Sequence, residues 1–149
     1  MKLDALIHWY ERLTPARLGE IDQLYHEGAS FRDPFNDVQG QPAIEAIFRH
    51  MFNTTGNPRF EVTDRQTDGN IAWLRWTFAC RMSGRQISIE GASRLVFGED
   101  GRVVEHRDYW DAAELFLQLP LLGTMVNFLK KRLSVPASSL GGENYGNER

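Results

Sequence analysis

A single cysteine, Cys80, is present among the 149 residues, so an internal disulfide is excluded. The chain also lacks a strong net charge: the formal value is −3, and its lysines and arginines are scattered, which argues against a nucleic-acid partner. No long apolar run is present near the start, where Glu11 and Arg12 interrupt the hydrophobic residues. We therefore expect a cytoplasmic protein with no secretion signal and no membrane span.

Sites for cofactors and metals are equally sparse. No glycine-rich phosphate-binding loop occurs, so no nucleotide cofactor is expected. His106 and Asp108 supply two ligands on one predicted strand, whereas His8, His26 and His50 lie on separate helical segments. Because protein metal sites need three or four ligands, we expect no required metal.

Hydrophobic periodicity predicts helices at both ends of the chain and one long helix between them. They cover about residues 4–13, 15–25, 42–52, 111–119 and 121–133. The first two form a hairpin with one apolar side. The last is expected to cover the sheet, with a helix that binds a partner or a membrane surface as the alternative. From Ser134 onward, small and polar residues predict disorder. We therefore expect one domain over 1–133 and a disordered tail over 134–149.

The strand signals indicate a meander. A short strand over 29–35 precedes the long helix, and strands follow at about 60–67, 71–82, 86–97 and 102–110. Tight-turn residues around Gly69, Gly84 and Gly101 separate these strands and are typical of antiparallel hairpins. Helices followed by a strongly curved sheet around one long helix predict an α+β cone, with a natural cavity at its open mouth.

Two runs of residues mix carboxylates with large apolar side chains. Asp33 alternates with Phe31 and Phe35, and Asp108 lies in the run from Gly101 to Trp110. A lone ionised group among apolar neighbours is costly, which favours a pocket, although an aspartate before a proline also commonly caps a turn. The last strand has two candidate inward faces, and periodicity does not choose between them. These are Val104, His106, Asp108 and Trp110, or Val103, Glu105, Arg107 and Tyr109.

Three short motifs carry a resemblance to a known group of proteins. They are Asp33-Pro34-Phe35, the Ser93-Arg94-Leu95-Val96-Phe97 strand with its Gly101 turn, and the Tyr109-Trp110 ending. Over roughly residues 3–113 the chain resembles the nuclear transport factor 2-like superfamily, especially its SnoaL-like and ketosteroid isomerase-like branches. The resemblance implies a cystatin-like cone with a curved antiparallel sheet wrapped around a long helix. Because many non-enzymatic relatives share such motifs, they identify the fold better than the function.

The resemblance also implies roles for individual residues. Asp33 matches the general base of the isomerases, and Tyr10 matches their oxyanion-donor tyrosine if one residue is deleted in the following turn. Ser93 occupies the position of a protonated aspartic acid, and a weaker donor there argues against authentic steroid isomerase activity. The inward face of the last strand becomes the one with His106 and Asp108, so Asp33, His106 and Asp108 form a candidate acid/base set with Tyr10. The expected pocket-lining residues are Tyr25, Phe48, Trp76, Phe78, Ser93 and Trp110.

Three functional hypotheses result. The first is a SnoaL-like protein that binds a small apolar molecule, an isomerase or cyclase with Asp33 as general base on a carbonyl-bearing ligand. The alternative is a non-catalytic ligand-binding or dimerisation module of the same fold. An epoxide hydrolase of the limonene epoxide hydrolase type is less favoured, because Arg32, Arg75 and Arg94 are predicted to face outward. An apolar outward patch at Ile71, Trp73 and Val96 predicts a homodimer through the sheet face.

Overall fold

The computed structural model describes residues 1–120 and 122–133, and its elements follow the predicted order. The helices are α1 (Leu3–Glu11), a 3-10 helix (Pro15–Glu20), α2 (Ile21–Leu24), α3 (Gln41–Thr54), α4 (Ala112–Leu117) and α5 (Leu122–Leu133). The strands are β1 (Tyr25–Arg32), β2 (Asp37–Gln39), β3 (Gly56–Asp68), β4 (Ile71–Met82), β5 (Arg85–Phe97) and β6 (Val103–Trp110).

The six strands form one curved open sheet in the order β2-β1-β6-β5-β4-β3. The meander from β3 to β6 is antiparallel, as predicted, and Gly69, Gly84 and Gly101 adopt the positive φ values that its turns require. One pair differs: β1 lies parallel to β6. The long crossover between these two strands permits this pairing. The α+β cone is therefore confirmed, with one parallel pair in its sheet.

The core lies between the helices and the inner face of the sheet. Alternate residues of β4 and β5 are buried there, and Ile44 and Phe48 of α3 pack against them. The buried strand residues include Ala72, Leu74, Trp76 and Cys80 of β4 and Ile87, Ile89, Ser93, Leu95 and Phe97 of β5. This two-residue period is that of strands with one face in the core, and it leaves the intervening side chains on the outer face.

Two predicted elements differ from the structure. The helix expected over 15–25 is a 3-10 turn followed by four α-helical residues, and Tyr25 already starts β1. Gly19, a poor helix former, lies in the 3-10 segment. The strand expected over 29–35 ends at Arg32, because Pro34 cannot donate to a strand ladder. Phe31 is consequently buried, whereas Phe35 is 58% exposed.

The C-terminal helices form where the sequence predicts them, but in the described residues α5 packs mainly on α4 and does not cover the sheet as expected. The Asp111 side chain caps α4 by accepting a hydrogen bond of 2.8 Å from the Ala113 amide, and α5 covers most of the predicted 121–133 segment. The tail predicted over 134–149 lies outside the described residues. None of the helices in the described ranges is both long and apolar enough to cross a membrane.

Candidate functional site

Strand β6 brings two polar side chains into the inner face of the sheet. His106 and Asp108 pair with Leu95 and Ser93 of β5 and share their inward direction. Only 2% of the His106 side chain and 17% of the Asp108 side chain are exposed. Glu105, the residue before His106, lies on the outer face of the sheet and pairs with Arg94. The structure thus selects the face of His106 and Asp108, except at the start of β6, where Val103 is buried and Val104 only half-buried beside an irregularity in the pairing with β5.

One oxygen of Asp108 receives two side-chain hydrogen bonds. The Ser93 hydroxyl donates to Oδ1 over 2.5 Å, and His106 Nε2 lies 2.6 Å from the same atom. Trp76 Nε1 donates in turn to Ser93 Oγ over 2.8 Å. Because an indole N–H can only donate, the Ser93 hydroxyl accepts from Trp76 and directs its own proton to Asp108.

Two buried tyrosines complete this network on the far side of His106. The Tyr25 hydroxyl lies 2.7 Å from His106 Nδ1 and the Tyr10 hydroxyl 3.1 Å from it, and the two hydroxyls are hydrogen-bonded to each other. Burial first, and the negative charge of Asp108 in addition, raises the pKa of both phenols well above the ordinary value. Both therefore remain protonated donors at neutral pH.

The tautomer of His106 sets the direction of the whole network. If Tyr25 donates to Nδ1, that nitrogen carries no proton, so the ring proton is on Nε2 and points at Asp108 Oδ1. Every proton then points toward Asp108 from both sides. We call the six residues Tyr10, Tyr25, Trp76, Ser93, His106 and Asp108 the Asp108 network.

The second oxygen of Asp108 has a different environment. Oδ2 has no hydrogen-bond partner among the described residues, and no unpartnered polar side-chain atom among them is fully buried. Asp108 also lines two adjacent cavities, one of about 210 Å³ and one of about 20 Å³. Oδ2 is therefore the oxygen of this carboxylate that remains accessible to a molecule in a cavity.

The larger cavity is walled mainly by aromatic and sulfur-containing side chains. Its aromatic residues are Phe31, Phe35, Phe48, Phe60, Trp76, Phe78 and Trp110, and Met51, Cys80 and Met82 add sulfur atoms. Phe35 packs edge-on against Trp110, with 5.4 Å between ring centres. Because Phe35 is largely exposed, this pair marks the opening. Burial raises the pKa of the Cys80 thiol, which keeps it neutral.

The smaller cavity lies behind the larger one. Tyr10, Ser93 and His106 line it together with Asp108, and Phe48, Phe60 and Trp76 border both cavities. Its volume of about 20 Å³ accommodates roughly one water molecule. Five residues of the Asp108 network line this space together with Phe48, Phe60, Val62 and Leu74, so a molecule there would contact both polar and apolar groups.

Asp33 has a local structural role as well as a place in the cavity wall. Its Oδ1 accepts hydrogen bonds from the backbone amides of Phe35 and Asn36 over 2.7 and 2.6 Å, and the Asn36 side chain lies 3.0 Å from both oxygens. The carboxylate therefore holds the turn after β1. It also lines the larger cavity with Asp108, so its role as general base remains a prediction.

The other predicted site residues, except Tyr25, line one or both of the two cavities. Phe48, Trp76, Phe78 and Trp110 line the larger cavity, Tyr10, Ser93 and His106 the smaller one, and Tyr25 neither of the two. Sequence reasoning missed Phe60, Cys80 and Ile89 as cavity residues. The alternation of β3, β4 and β5 was the signal that could have indicated them.

Gly91 provides the space that the Trp76 ring needs. Gly91 is the pairing partner of Trp76 on β5, and the indole lies across it. A Cβ atom at residue 91 would be 2.5 Å from Trp76 Cζ2 and 2.9 Å from Cζ3, distances that real structures essentially never show. Glycine thus allows the indole to reach Ser93.

Potential metal ligands do not cluster in the described part of the chain. Within the described residues, no group of three or more histidine, cysteine, aspartate or glutamate side chains could hold a metal ion. His106 and Asp108 bind each other instead, and the Asp108 network is a proton-donor and acceptor system.

The sequence of this chain matches one known protein family. The model of the SnoaL-like domain matches residues 6–106. No curated protein matches the chain significantly by sequence.

Solved structures share the fold at low sequence identity. A protein of Catenulispora acidiphila with a ketosteroid isomerase-like fold, in complex with trimethylamine, is 15% identical, with a TM-score of 0.68 over 79% of this chain and 92% of that one. A protein of Jannaschia sp. named as a SnoaL-like polyketide cyclase is 12% identical, with a TM-score of 0.69 over 78% of this chain and 89% of that one. An M. tuberculosis LEH-like epoxide hydrolase is 16% identical, with a TM-score of 0.64 over 87% of this chain and 92% of that one. At these identities the likeness establishes the fold alone.

Proposed function

This chain belongs to the SnoaL-like domain family, and on that premise we propose that it binds a small, largely apolar molecule and transfers a proton on it. The observation that carries the proposal is the asymmetry of Asp108. Its Oδ1 is held by His106 and Ser93, while its Oδ2 has no partner among the described residues and is not fully buried, and Asp108 lines the larger cavity. The trimethylamine complex of the Catenulispora protein is a precedent for a small organic ligand in this fold.

The proposed chemistry is general acid–base catalysis by Asp108. His106 and Ser93 fix the orientation of the carboxylate, so Oδ2 can take a proton from a C–H group beside a carbonyl and return it to another atom of the same molecule. Such a transfer is the step of an isomerase or a cyclase, and a positioned acid or base typically contributes about 10²- to 10⁴-fold to the rate. The aromatic walls would hold the ligand and exclude water.

Two carboxylates compete for the role of base. The resemblance assigned it to Asp33, but both Asp33 oxygens have hydrogen-bond donors from its own turn. Asp108 keeps one oxygen available, and its partners come from two neighbouring strands. We therefore propose Asp108 as the base and Asp33 as a residue that shapes the opening of the cavity.

A non-catalytic binding module is the second candidate, and one observation favours it. The Tyr10 hydroxyl is occupied by Tyr25 and His106, so it is not available as the oxyanion donor that the isomerase resemblance implied. The epoxide hydrolase alternative has less support. No arginine lines the larger cavity among the described residues, and Arg75 and Arg94 pair with Glu90 and Glu105 on the outer face.

Hydrogen exchange would test the proposal without a known substrate. A panel of small cyclic and aryl ketones in D₂O would be followed by proton NMR for catalysed loss of the C–H signal beside the carbonyl. We expect exchange of at least one ketone with the wild-type chain, and a loss of about 100-fold or more in Asp108→Asn. Asp37→Asn, an exposed carboxylate outside the cavity, is the control and should leave the rate unchanged.

The same assay separates the two carboxylates. In Asp33→Asn the amide oxygen still accepts from the turn, so the fold is retained and exchange continues if Asp108 is the base. Loss of exchange in Asp33→Asn with retention in Asp108→Asn would restore the original assignment. No exchange of any ketone, combined with tight ligand binding, would favour the non-catalytic module.

We also propose that two copies pair through the outer face of the sheet, in a cytoplasmic setting compatible with the free thiol of Cys80. Trp73 and Tyr109 stack there with 5.8 Å between ring centres and are 43% and 42% exposed. Analytical ultracentrifugation should detect a dimer that Trp73→Glu converts to a monomer. A wild-type chain that is monomeric at high micromolar concentration would contradict the pairing.

A further inference from the structure

The charge around the larger cavity is not balanced. The described lining contains two carboxylates, Asp33 and Asp108, and neither lysine nor arginine. Its other titratable groups are His50, which is exposed on α3, and Cys80, whose thiol stays neutral because burial raises its pKa. The described lining therefore holds two acidic side chains and no permanently charged cation, and His106, which does not line this cavity, lies 2.6 Å from Oδ1 of Asp108.

The nearby guanidinium groups are engaged elsewhere. Arg75 and Arg94 pair with glutamates on the outer face of the sheet, and Arg32 lies 3.8 Å from Asp37. Behind Asp108, the Asp108 network supplies neutral phenol, hydroxyl and indole donors beside His106. These groups orient the Asp108 carboxylate but place no fixed positive charge on the cavity side of Oδ2.

The aromatic walls add attraction for the same kind of ligand. Phe60 lies 4.8 Å from Phe78 and 6.0 Å from Trp76 between ring centres, and Trp110 and Phe35 pair at the opening. The face of an aromatic ring carries negative partial charge and attracts a cation within about 6 Å, most strongly for tryptophan. Ring faces and carboxylates together form the environment in which ammonium groups bind.

We infer that this cavity selects organic cations, namely protonated or quaternary amines with apolar substituents. The inference rests on the proposed function, because it takes the accessible Asp108 oxygen as part of the binding site. A neutral apolar ligand would displace water from that oxygen without replacing its interactions, and an anionic ligand would be repelled. A positive nitrogen also acidifies neighbouring C–H bonds, so such a substrate suits Asp108 as base.

A pair of molecules with the same shape and different charge tests the inference directly. Choline and 3,3-dimethyl-1-butanol differ in that a quaternary nitrogen replaces a carbon, so their contacts with the walls are alike. Binding to the full chain would be followed by NMR titration at neutral pH. We expect choline to bind at least about tenfold more tightly than the alcohol. Equal or tighter binding of the alcohol, or no binding of either at millimolar concentrations, would overturn the inference.

Two variants assign the selectivity to residues. Asp108→Asn should weaken choline binding about tenfold or more and leave the alcohol unchanged, with Asp37→Asn as the matched control. Trp110→Leu, which keeps an apolar wall without a ring, should weaken choline binding several-fold and the alcohol little. If both variants bind choline like the wild type, the inference fails. Proton exchange of neutral ketones that disappears in Asp108→Asn would still support the proposed function in that case.

Discussion

Replacing Gly91 with alanine tests whether the Asp108 network depends on the close packing of one indole ring. The new Cβ would lie 2.5 and 2.9 Å from two atoms of the Trp76 ring and still closer to a third. Strand β5 is hydrogen-bonded to β4 on one side and β6 on the other, so its backbone has little freedom to retreat. The indole must therefore move, which breaks its hydrogen bond to Ser93 Oγ.

The expected loss of stability has two parts. Overfilling a packed core typically costs about 1–3 kcal/mol. A buried indole N–H that loses its acceptor adds about 1–3 kcal/mol, while the lower entropy of the unfolded chain with alanine returns about 0.4–1 kcal/mol. We therefore expect the free energy of unfolding to fall by about 1–5.6 kcal/mol. This is a large part of the stability of an ordinary domain.

Urea unfolding followed by circular dichroism would measure the change. Gly19→Ala is the matched control, because a Cβ there meets no atom within 4 Å and its φ is not positive, so the change should be small or stabilising. In NMR spectra, the Trp76 indole N–H signal should shift and exchange faster in Gly91→Ala. Stability within about 0.5 kcal/mol of the wild type, with an unmoved indole signal, would refute the packing argument.

Three further outcomes are expected. Burial raises the pKa of Tyr10 and Tyr25 above that of the unfolded chain, so the protonated phenols stabilise the fold fully below about pH 10. Above that pH the free energy of unfolding should fall by up to about 1.4 kcal/mol per pH unit for each tyrosine. Urea unfolding from pH 9 to 11 measures this slope, and a free energy that does not change with pH would contradict the prediction. Tyr25→Phe removes a donor to His106 and should cost about 1–3 kcal/mol and halve that slope in the same titrations. Cys80 is only 1% exposed and lines the larger cavity, so it should react with a thiol reagent too bulky to enter that cavity only as fast as the chain opens. Rapid labelling of the native protein by such a reagent would disprove its burial.

Much of the fold was predictable because the signals that define it are local. The β4 strand was predicted over 71–82 and is observed as Ile71–Met82, since turn residues bound it on both sides and its inward residues alternate strictly. Helix α3 was predicted from its apolar spacing and the proline in its first turn. Each of these signals involves residues that lie close together in the sequence.

The parts that could not be predicted depend on contacts between distant residues. The bond from Trp76 to Ser93 requires the register of β4 against β5, and the role of Gly91 requires the direction of the Trp76 ring. Neither property is visible in a single strand. Likewise, the alternation that placed Asp33 beside Phe31 and Phe35 ended with β1 at Arg32, and the Asp33 carboxylate accepts from the turn amides that follow.

The contrast between Asp33 and Asp108 explains why two similar sequence signals differ in meaning. The partners of Asp33 lie within three residues of it, and a turn alone accounts for them. The Asp108 network joins α1, β1, β4, β5 and β6. Burying these polar groups costs desolvation, and apolar residues of similar volume would commonly give equal or greater stability. Stability alone therefore gives no reason for the network, whereas a positioned carboxylate with one accessible oxygen does.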